Sequence, residues 1–287
     1  MNIYTLFYFI GFCMRIVSNF VLSITRYGYQ NPLTRYTMIN KGYLTEPYKG
    51  KGHCQDKNQL INLHKDKKII AISPGGYKGF YLMGVCHYIK SHYKLDNYVF
   101  SGASAGSWNS LMMCYRGDTS NICNLLLKTC AQPIKTIFDL EMRMKRDILS
   151  HFRSEDFDLD KLNIGITTMT HGTIIFSDFE HLEDALDGCI ASSHIPVISG
   201  KLTHTYRGLL AFDGGFSENP YLLFDKPVLH ITPGMWKPKP SYINPVRQIS
   251  AYTTLWSKDS YNFKELFDEG YRHAEEHKEE LDRRLLH

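Results

Sequence analysis

A run of small residues at positions 102–106, GASAG, contains the strongest candidate for a reacting side chain. It matches the pattern G-x-S-x-G, with Gly102 and Gly106 flanking Ser104. An apolar strand precedes the run and an amphipathic helix follows it, and the glycines allow a sharp turn that leaves the serine hydroxyl at its tip. N–H groups and the dipole at the start of the helix stabilise negative charge there. Ser104 is therefore a candidate nucleophile; the alternative is a tight turn in which it only caps the helix.

A second glycine-rich turn, GGYKG at residues 75–79, lies one strand and one helix before Ser104. In a parallel sheet the turns that follow neighbouring strands emerge at the same edge, so this loop can lie beside the serine. Acyl transfer needs N–H donors directed at the oxygen that becomes an anion, and a glycine loop can supply them. A phosphate-binding loop is the alternative, but neither G-x-x-x-x-G-K-[ST] nor G-x-G-x-x-G is matched. A purely structural turn also stays open.

The third motif is Asp213-Gly214-Gly215, which follows an apolar strand at Leu209–Phe212. An aspartate at the carboxyl end of a parallel strand faces the same edge as the two glycine turns. From there Asp213 can take the serine proton as a general base, with no histidine between them. Taken alone, Asp-Gly-Gly is also a common turn sequence.

Short apolar strands and helices alternate around these motifs, which predicts an α/β fold with a mainly parallel central sheet. The predicted strands are Lys68–Ser73, Tyr98–Phe100, Asn163–Met169, Thr173–Ser177, Leu209–Phe212 and Val228–Thr232, with a hairpin turn at His171-Gly172. The predicted helices are Gly79–Tyr93, Ala105–Tyr115, Asn121–Cys130, Lys135–Ser150, His181–Ser192 and a charged amphipathic helix at Ser260–Leu286.

The order and types of the three motifs resemble the patatin-like phospholipase family, over Lys68 to Phe224. That family carries a glycine-rich oxyanion loop, then G-x-S-x-G, then D-G-G or D-G-A. The segments 189–196 (CIASSHIP) and 212–220 (FDGGFSENP) are similar to it as well, and the resemblance is nearest to the adiponutrin-type and microbial or viral branches. It implies a three-layer α/β/α sandwich and a Ser–Asp dyad, with Ser104 as nucleophile and Asp213 as base. It assigns the oxyanion loop to five consecutive residues: Gly75, Gly76, Tyr77, Lys78 and Gly79.

The loop departs from the family pattern D-G-G-G-x-R-G, because residues 73–79 read SPGGYKG. Lys78 in place of arginine keeps the charge without the planar guanidinium fork. Pro74 has no N–H and cannot donate to an oxyanion. Gly75 and Gly76 keep their N–H groups, so the departure concerns loop geometry and rate and leaves the reaction class unchanged.

These observations predict a lipid acyl hydrolase that cleaves carboxylic esters of glycerophospholipids or acylglycerols through an acyl-enzyme. One alternative is a Ser–Asp–His α/β-hydrolase, because His230 and His273 lie downstream of Asp213. Another is a catalytically silent lipid-binding protein of the same fold. We expect no metal and no organic cofactor, since the sequence contains no HExxH motif and no close cluster of histidine and aspartate.

Composition limits the other classes of function. The chain has 287 residues, of which 43% are hydrophobic and 22% charged, typical of a globular protein and unlike disordered or fibrous chains. The net charge of +4 comes from scattered basic residues, which suits an anionic lipid surface and gives no basic stripe for nucleic acid. We therefore expect a single hydrolase domain at residues 68–287.

The N-terminal segment, residues 1–29, is mostly apolar from Ile3 to Ile24 and is interrupted by Arg15 and Asn19. It lacks a basic n-region and an A-x-A cleavage site, which argues against a secretory signal peptide. Three alternatives stay open: a membrane anchor, an interfacial helix, or a helix packed on the domain. We expect an intracellular protein held at a membrane or lipid-droplet surface by this segment. Residues 30–67 are predicted to be a linker or an irregular segment.

Overall fold

The structure is a computed structural model that describes residues 53–54, 66–133, 135–168, 172–196, 198–201, 203–216, 227–236 and 262–286. The predictions for the N-terminal segment 1–29 and for most of the linker 30–67 lie outside the described residues, as does His171 of the predicted hairpin turn. The two described residues of the linker's middle, His53 and Cys54, form a short strand that extends one edge of the sheet.

An eight-stranded sheet forms the centre of the fold. Its main path runs β1-β5-β4-β3-β2-β8, and β7 pairs with both β4 and β6. The strands are β1 (His53–Cys54), β2 (Lys68–Ile72), β3 (Tyr98–Gly102), β4 (Leu162–Thr168), β5 (Gly172–Phe176), β6 (His204–Tyr206), β7 (Leu209–Phe212) and β8 (Leu229–Ile231).

The central strands of this sheet are parallel, and those beyond β4 are antiparallel. β8, β2, β3 and β4 run in the same direction, whereas β5 and β7 pair antiparallel with β4 and β1 pairs antiparallel with β5. All residues of β3 and β4 are buried, as expected for strands covered on both faces. The prediction of an α/β fold with a mostly parallel sheet flanked by helices is confirmed.

Helices connect the parallel strands and pack against the sheet. They are α1 (Gly79–His92), α2 (Ala105–Cys114), α3 (Thr119–Cys130), α4 (Ile137–His151), α5 (Leu182–Ser192), α6 (Phe263–Glu276) and α7 (Lys278–Leu285). The first five agree with the predicted helices to within two residues at each end. The predicted helix Ser260–Leu286 is instead two helices separated at His277, whose ring stacks on Trp236. No helix among the described residues combines the length and apolar character needed to cross a bilayer.

The predicted parallel direction of the strand before Asp213 is wrong. β7 pairs antiparallel with β4, and it is the second strand of a hairpin with β6. The two residues that join these strands, Arg207 and Gly208, both have positive φ, 46° and 81°. Positive φ at both positions is the geometry of the two-residue hairpin turn that suits twisted strands. The turn therefore reverses the chain, and β7 reaches the site from the opposite direction.

Candidate active site

Ser104 lies in a sharp turn between β3 and α2, with φ 53° and ψ −129°. The neighbouring backbone is so close that both flanking positions need glycine. A Cβ at Gly102 would come within 2.3 Å of the Gly106 carbonyl oxygen, and one at Gly106 within 2.1 Å of the Ile72 carbonyl oxygen. A non-glycine residue at positive φ is strained unless its surroundings hold it there, which is characteristic of functional sites.

The Asp213 side chain lies near enough to the Ser104 hydroxyl for this hydroxyl to lower the pKa of the carboxyl, and Ser104 makes no capping bond to α2. Both residues are buried, with 7% of Ser104 and 6% of Asp213 exposed. Carboxylate and hydroxyl are therefore in direct contact in a dry environment. The structure does not support the alternative in which Ser104 only caps the helix.

An extension of β4 brings Asp213 to this position. β3 ends at Gly102, which pairs with Ile164, whereas β4 continues to Thr168. β7 runs back along this extension, with Phe212 opposite Thr167, so Asp213 arrives beside the turn that holds Ser104. The approach is close, because a Cβ at Gly214 would lie 2.2 Å from the Gly165 carbonyl oxygen.

Burial raises the pKa of Asp213 to about 6. Hydrogen bonds from the Ser104 hydroxyl and the Gly215 N–H, the latter 2.7 Å from Oδ1, favour the ionised carboxylate and oppose this shift in pKa. The carboxylate is consequently ionised at neutral pH and is a stronger base than an exposed aspartate.

The end of α5 and the two residues after it hold the backbone of Ser104 and Asp213 in place. Ser192 Oγ accepts the Ser104 N–H at 2.8 Å and donates to the Gly165 carbonyl at 2.7 Å. Ser193 and His194 follow Ser192 in the chain. The His194 carbonyl accepts the Asp213 N–H at 2.7 Å, so the same short segment is bonded to both Ser104 and Asp213. The sequence analysis noted this segment as similar to the family but assigned Ser192 no role. A serine at the end of a helix carries no signal of a partner 88 residues away.

The glycine loop lies beside the nucleophile and forms a single 3₁₀ turn at Gly76–Lys78. Two N–H groups close this turn. The Lys78 N–H donates to the Gly75 carbonyl at 3.0 Å, and the Gly79 N–H donates to the Gly76 and Tyr77 carbonyls. Gly76 has φ 52°, a conformation that glycine adopts without strain. Within this loop, the N–H groups of Lys78 and Gly79 are therefore engaged in closing the turn.

Pro74 packs next to the Asp213 turn, because a Cβ at Gly215 would lie 3.1 Å from Pro74 Cγ. This residue was the departure from the family pattern that the sequence analysis identified. Its ring occupies space between β2 and the turn after β7 and needs no N–H to do so.

A cavity of about 100 Å³ opens beside Ser104 and is lined by Ser104, Ala105 and the loop residues Gly76, Tyr77 and Gly79. The rest of its wall is mainly apolar and comes from α1 to α4, with contributions from Phe80, Met83, Trp108, Met112, Leu126 and Met144. An apolar cavity that begins at a nucleophile suits a hydrocarbon chain attached to the reacting carbonyl.

The sequence analysis missed one polar residue of this wall, Glu141 on α4. It is 5% exposed, and burial raises the pKa of its carboxyl well above the usual value. The sequence contains a signal for its burial, because Glu141 falls within the apolar stripe of α4. This inward-facing stripe is formed by Ile137, Leu140, Met144 and Ile148.

His230 and His273, which a Ser–Asp–His triad would need, do not line the cavity. His273 lies on α6, with Nδ1 3.0 Å from the Tyr81 hydroxyl. His230 lies on β8, at the far edge of the parallel part of the sheet. Neither histidine is among the groups that affect the pKa of Asp213.

The fold and the site define a three-layer α/β/α protein with a serine at a strand–turn–helix elbow and a buried aspartate in contact with it. The profile of patatin-like phospholipases matches residues 70–225, more than half of the chain, and the chain belongs to that family. The resemblance inferred from the three motifs is confirmed.

Individual relatives are distant. They include 1-acylglycerol-3-phosphate O-acyltransferase Pnpla3 of Mus musculus, 23% identical over 55% of this chain and 41% of the relative. Patatin-like phospholipase domain-containing protein 4 of Homo sapiens is 26% identical over 50% of this chain and 62% of the relative. Omega-hydroxyceramide transacylase of Mus musculus is 26% identical over 52% of this chain and 27% of the relative. The chain thus spans less than two thirds of the length of each of these relatives.

Proposed function

We propose that this protein is a lipid acyl hydrolase that uses Ser104 as nucleophile and Asp213 as general base. The observation that carries the proposal is the position of the Ser104 hydroxyl next to a buried carboxylate, beside an apolar cavity. A base in contact with a serine hydroxyl is the arrangement that activates it for attack on an ester. The family, and the names of the phospholipase, acyltransferase and transacylase relatives, point to lipid acyl transfer as well.

In the first half-reaction Asp213 accepts the hydroxyl proton as Ser104 Oγ attacks the ester carbonyl of the lipid. The N–H groups of Gly75 and Gly76 stabilise the negative charge on the tetrahedral oxygen. Ala105 adds a third donor, because it is the first residue of α2 and its N–H has no acceptor within the helix. The protonated Asp213 then gives its proton to the departing alcohol, which leaves an acyl-serine.

The second half-reaction returns the enzyme to its starting state. Asp213 removes a proton from a water molecule that attacks the acyl-serine, and the fatty acid and the free Ser104 hydroxyl are released. A lipid hydroxyl can replace the water in this step by the same proton transfers, which would make the reaction a transacylation. Two of the relatives carry acyltransferase or transacylase in their names.

Glycerophospholipids and acylglycerols are the substrates that we propose. The apolar cavity suits the acyl chain, and the mild positive charge of the chain, +4, suits an anionic lipid surface. Contact with a membrane or lipid-droplet surface would bring Ser104 to its substrate.

Labelling with a fluorophosphonate probe tests the nucleophile. We expect the full-length protein in detergent to be labelled, whereas Ser104→Ala should lose all labelling. Asp213→Asn should react at least ~100-fold more slowly, since the base that activates the serine is lost. A matched control is Ser150→Ala, which removes an exposed hydroxyl on α4 that bonds only locally. Labelling of Ser104→Ala would assign the reactive nucleophile to another residue. An unlabelled wild type that is folded would move the conclusion to a silent lipid-binding protein.

A further inference from the structure

The wall of the apolar cavity carries one carboxyl group that the proposed reaction does not use. Among the described residues that line the cavity, Glu141 is the one with a carboxyl side chain. Its Oε2 is buried and has no hydrogen-bond partner among the described residues. A buried polar atom without a hydrogen-bond partner is energetically unfavourable. A ligand that donates a hydrogen bond to Oε2 would remove this cost.

The hydrogen bonds of Ser193 indicate which oxygen of Glu141 is left for a ligand. Ser193 Oγ donates its single hydrogen to the Cys189 carbonyl at 3.0 Å and accepts the Trp108 indole N–H at 3.1 Å. Glu141 lies beside the same hydroxyl. Because the hydroxyl hydrogen is directed at the Cys189 carbonyl, the remaining lone pair of Ser193 is available to accept a hydrogen bond from Glu141.

This arrangement requires Glu141 to be a neutral carboxylic acid with its O–H directed at Ser193. Burial and the nearby negative charge of Asp213 raise the pKa of this carboxyl and outweigh the opposing effect of Ser193. The other oxygen, Oε2, is then a carbonyl-type acceptor that belongs to a residue of the cavity wall and is itself buried. Such an atom binds a hydrogen-bond donor, and in a neutral apolar cavity a hydroxyl suits it better than a cation.

We propose that Glu141 is a specificity residue that binds a free hydroxyl group of the lipid substrate. This inference rests on the proposed function and names the substrate class more closely: a hydroxyl-bearing lipid. The hydroxyl has two chemical sources, the glycerol part of a partially acylated glycerolipid and a hydroxylated acyl chain.

Matched pairs of esters separate these sources. One pair is 1-dodecanoylglycerol and its 2,3-di-O-methyl ether; the other is the p-nitrophenyl ester of dodecanoic acid and those of its monohydroxylated isomers. The readout is the ratio of kcat/KM within each pair, which cancels any general change in activity or folding. We expect the wild type to prefer the hydroxylated member of one pair by about tenfold, as for one buried hydrogen bond.

The variants Glu141→Gln and Glu141→Leu test whether Glu141 is the source of this preference. Glutamine keeps a carbonyl oxygen for the hydroxyl and an N–H₂ for Ser193, so the ratio should persist. Leucine has a similar volume without polar atoms, so the ratio should fall to about one. A ratio of one for every pair in the wild type, or an unchanged ratio in Glu141→Leu, overturns the proposal.

A binding measurement distinguishes failure of this inference from failure of the proposed function. Calorimetric titration of the wild type makes two comparisons. The first is between 1-O-dodecylglycerol, an ether that an esterase cannot hydrolyse, and its 2,3-di-O-methyl derivative. The second is between dodecanoic acid and the monohydroxylated dodecanoic acids. Discrimination in binding without hydrolysis of any ester refutes the hydrolase and retains hydroxyl recognition by Glu141. Hydrolysis of both members of each pair at equal rates, with equal binding, retains the hydrolase and refutes hydroxyl recognition.

Discussion

The side chains of Ser104 and Asp213 illustrate how burial prepares a carboxylate for catalysis. Removal of water raises the pKa of Asp213 from its ordinary value to about 6, and the hydrogen bonds from Ser104 and Gly215 prevent a larger rise in pKa. A carboxylate that is ionised at neutral pH but poorly solvated accepts a proton more readily than one in water. In the proposed mechanism, Asp213 removes the proton from Ser104 without a histidine.

The dependence of activity on pH follows from this pKa. Only ionised Asp213 can act as the base, so kcat/KM for a soluble ester should fall about tenfold per pH unit well below pH 6 and be constant above it. Initial rates between pH 4.5 and 8 measure this profile. His230→Gln and His273→Gln, the residues required by the triad alternative, should leave it unchanged. A profile that either substitution abolishes would support the triad instead.

The same pKa predicts an effect on stability. The folded pKa of Asp213 lies above its unfolded value, so the folded state binds more protons between about pH 4 and 6 and loses stability as the pH rises through that window. Above it, ionised Asp213 destabilises the fold by up to about 3 kcal/mol. Asp213→Asn should therefore raise the free energy of unfolding at pH 7 and have little effect at pH 3.5. Urea titrations at both values check this; equal effects would contradict the buried, ionised carboxylate.

Among the elements, the extension of β4 and the segment after α5 do most to assemble the site. β4 extends beyond β3, and the antiparallel β7 returns along that extension to deliver Asp213. Ser192 then connects the Ser104 N–H to the Gly165 carbonyl. Ser104 and Asp213 are thus held through Ser192 and the His194 carbonyl at the end of α5, which limits their movement relative to each other.

A close helix pair stabilises the other side of the cavity. α1, which contributes Phe80 and Met83 to the wall, packs on α6 with almost no space between the backbones. A Cβ at Gly84 would lie 2.0 Å from the Phe267 carbonyl oxygen, and one at Gly270 would lie 2.0 Å from the Tyr81 carbonyl oxygen. The two glycines therefore define how closely α6 approaches α1.

Gly84→Ala and Gly270→Ala should each destabilise the protein by about 2–4 kcal/mol, because the added methyl group meets backbone that cannot move aside without separating the helices. Urea unfolding measures the change. Gly234→Ala is the matched control, since its Cβ would meet nothing within 4 Å. Loss of stability in the control equal to that in the other two variants would contradict the role of close packing.

For the whole molecule, the hydrolase fold and the N-terminal segment have separable tasks in our proposal. The described residues assemble the site from the sheet and its surrounding helices. Residues 1–29 are mostly apolar and are expected to hold the protein at a lipid surface.

Removal of residues 1–29 should therefore weaken binding to phospholipid vesicles while Ser104 keeps its reaction with a fluorophosphonate probe. Vesicle flotation with phosphatidylcholine–phosphatidylserine vesicles measures binding, and probe labelling reports that the site is still folded. Undiminished flotation would assign membrane binding to the remaining chain. Loss of labelling together with reduced solubility would support the alternative in which the segment is a helix packed on the domain.

Much of this arrangement is readable in the amino-acid sequence, because it depends on local rules. The apolar runs, the glycines beside Ser104 and the helical spacing after each turn predict six of the eight described strands, the elbow and five helices within two residues of their observed ends. The order of the three motifs was enough to identify the family. These features depend on backbone conformation and hydrophobic period, which neighbouring residues largely set.

Other features depend on contacts between residues far apart in the chain. The direction of β7, the split of the last helix at His277, the role of Ser192 and the position of Glu141 on the cavity wall all depend on such partners. The sequence pattern around a glutamate in a helical stripe, or around a serine at a helix end, does not indicate whether the side chain contacts water or a buried partner. Motif order thus predicts Ser104 and Asp213 as the reacting pair. The packing of α4, α5 and β4 decides that Asp213 lies beside Ser104 and that Glu141 lines the cavity, because burial and hydrogen-bond partners exist only once the chain has folded.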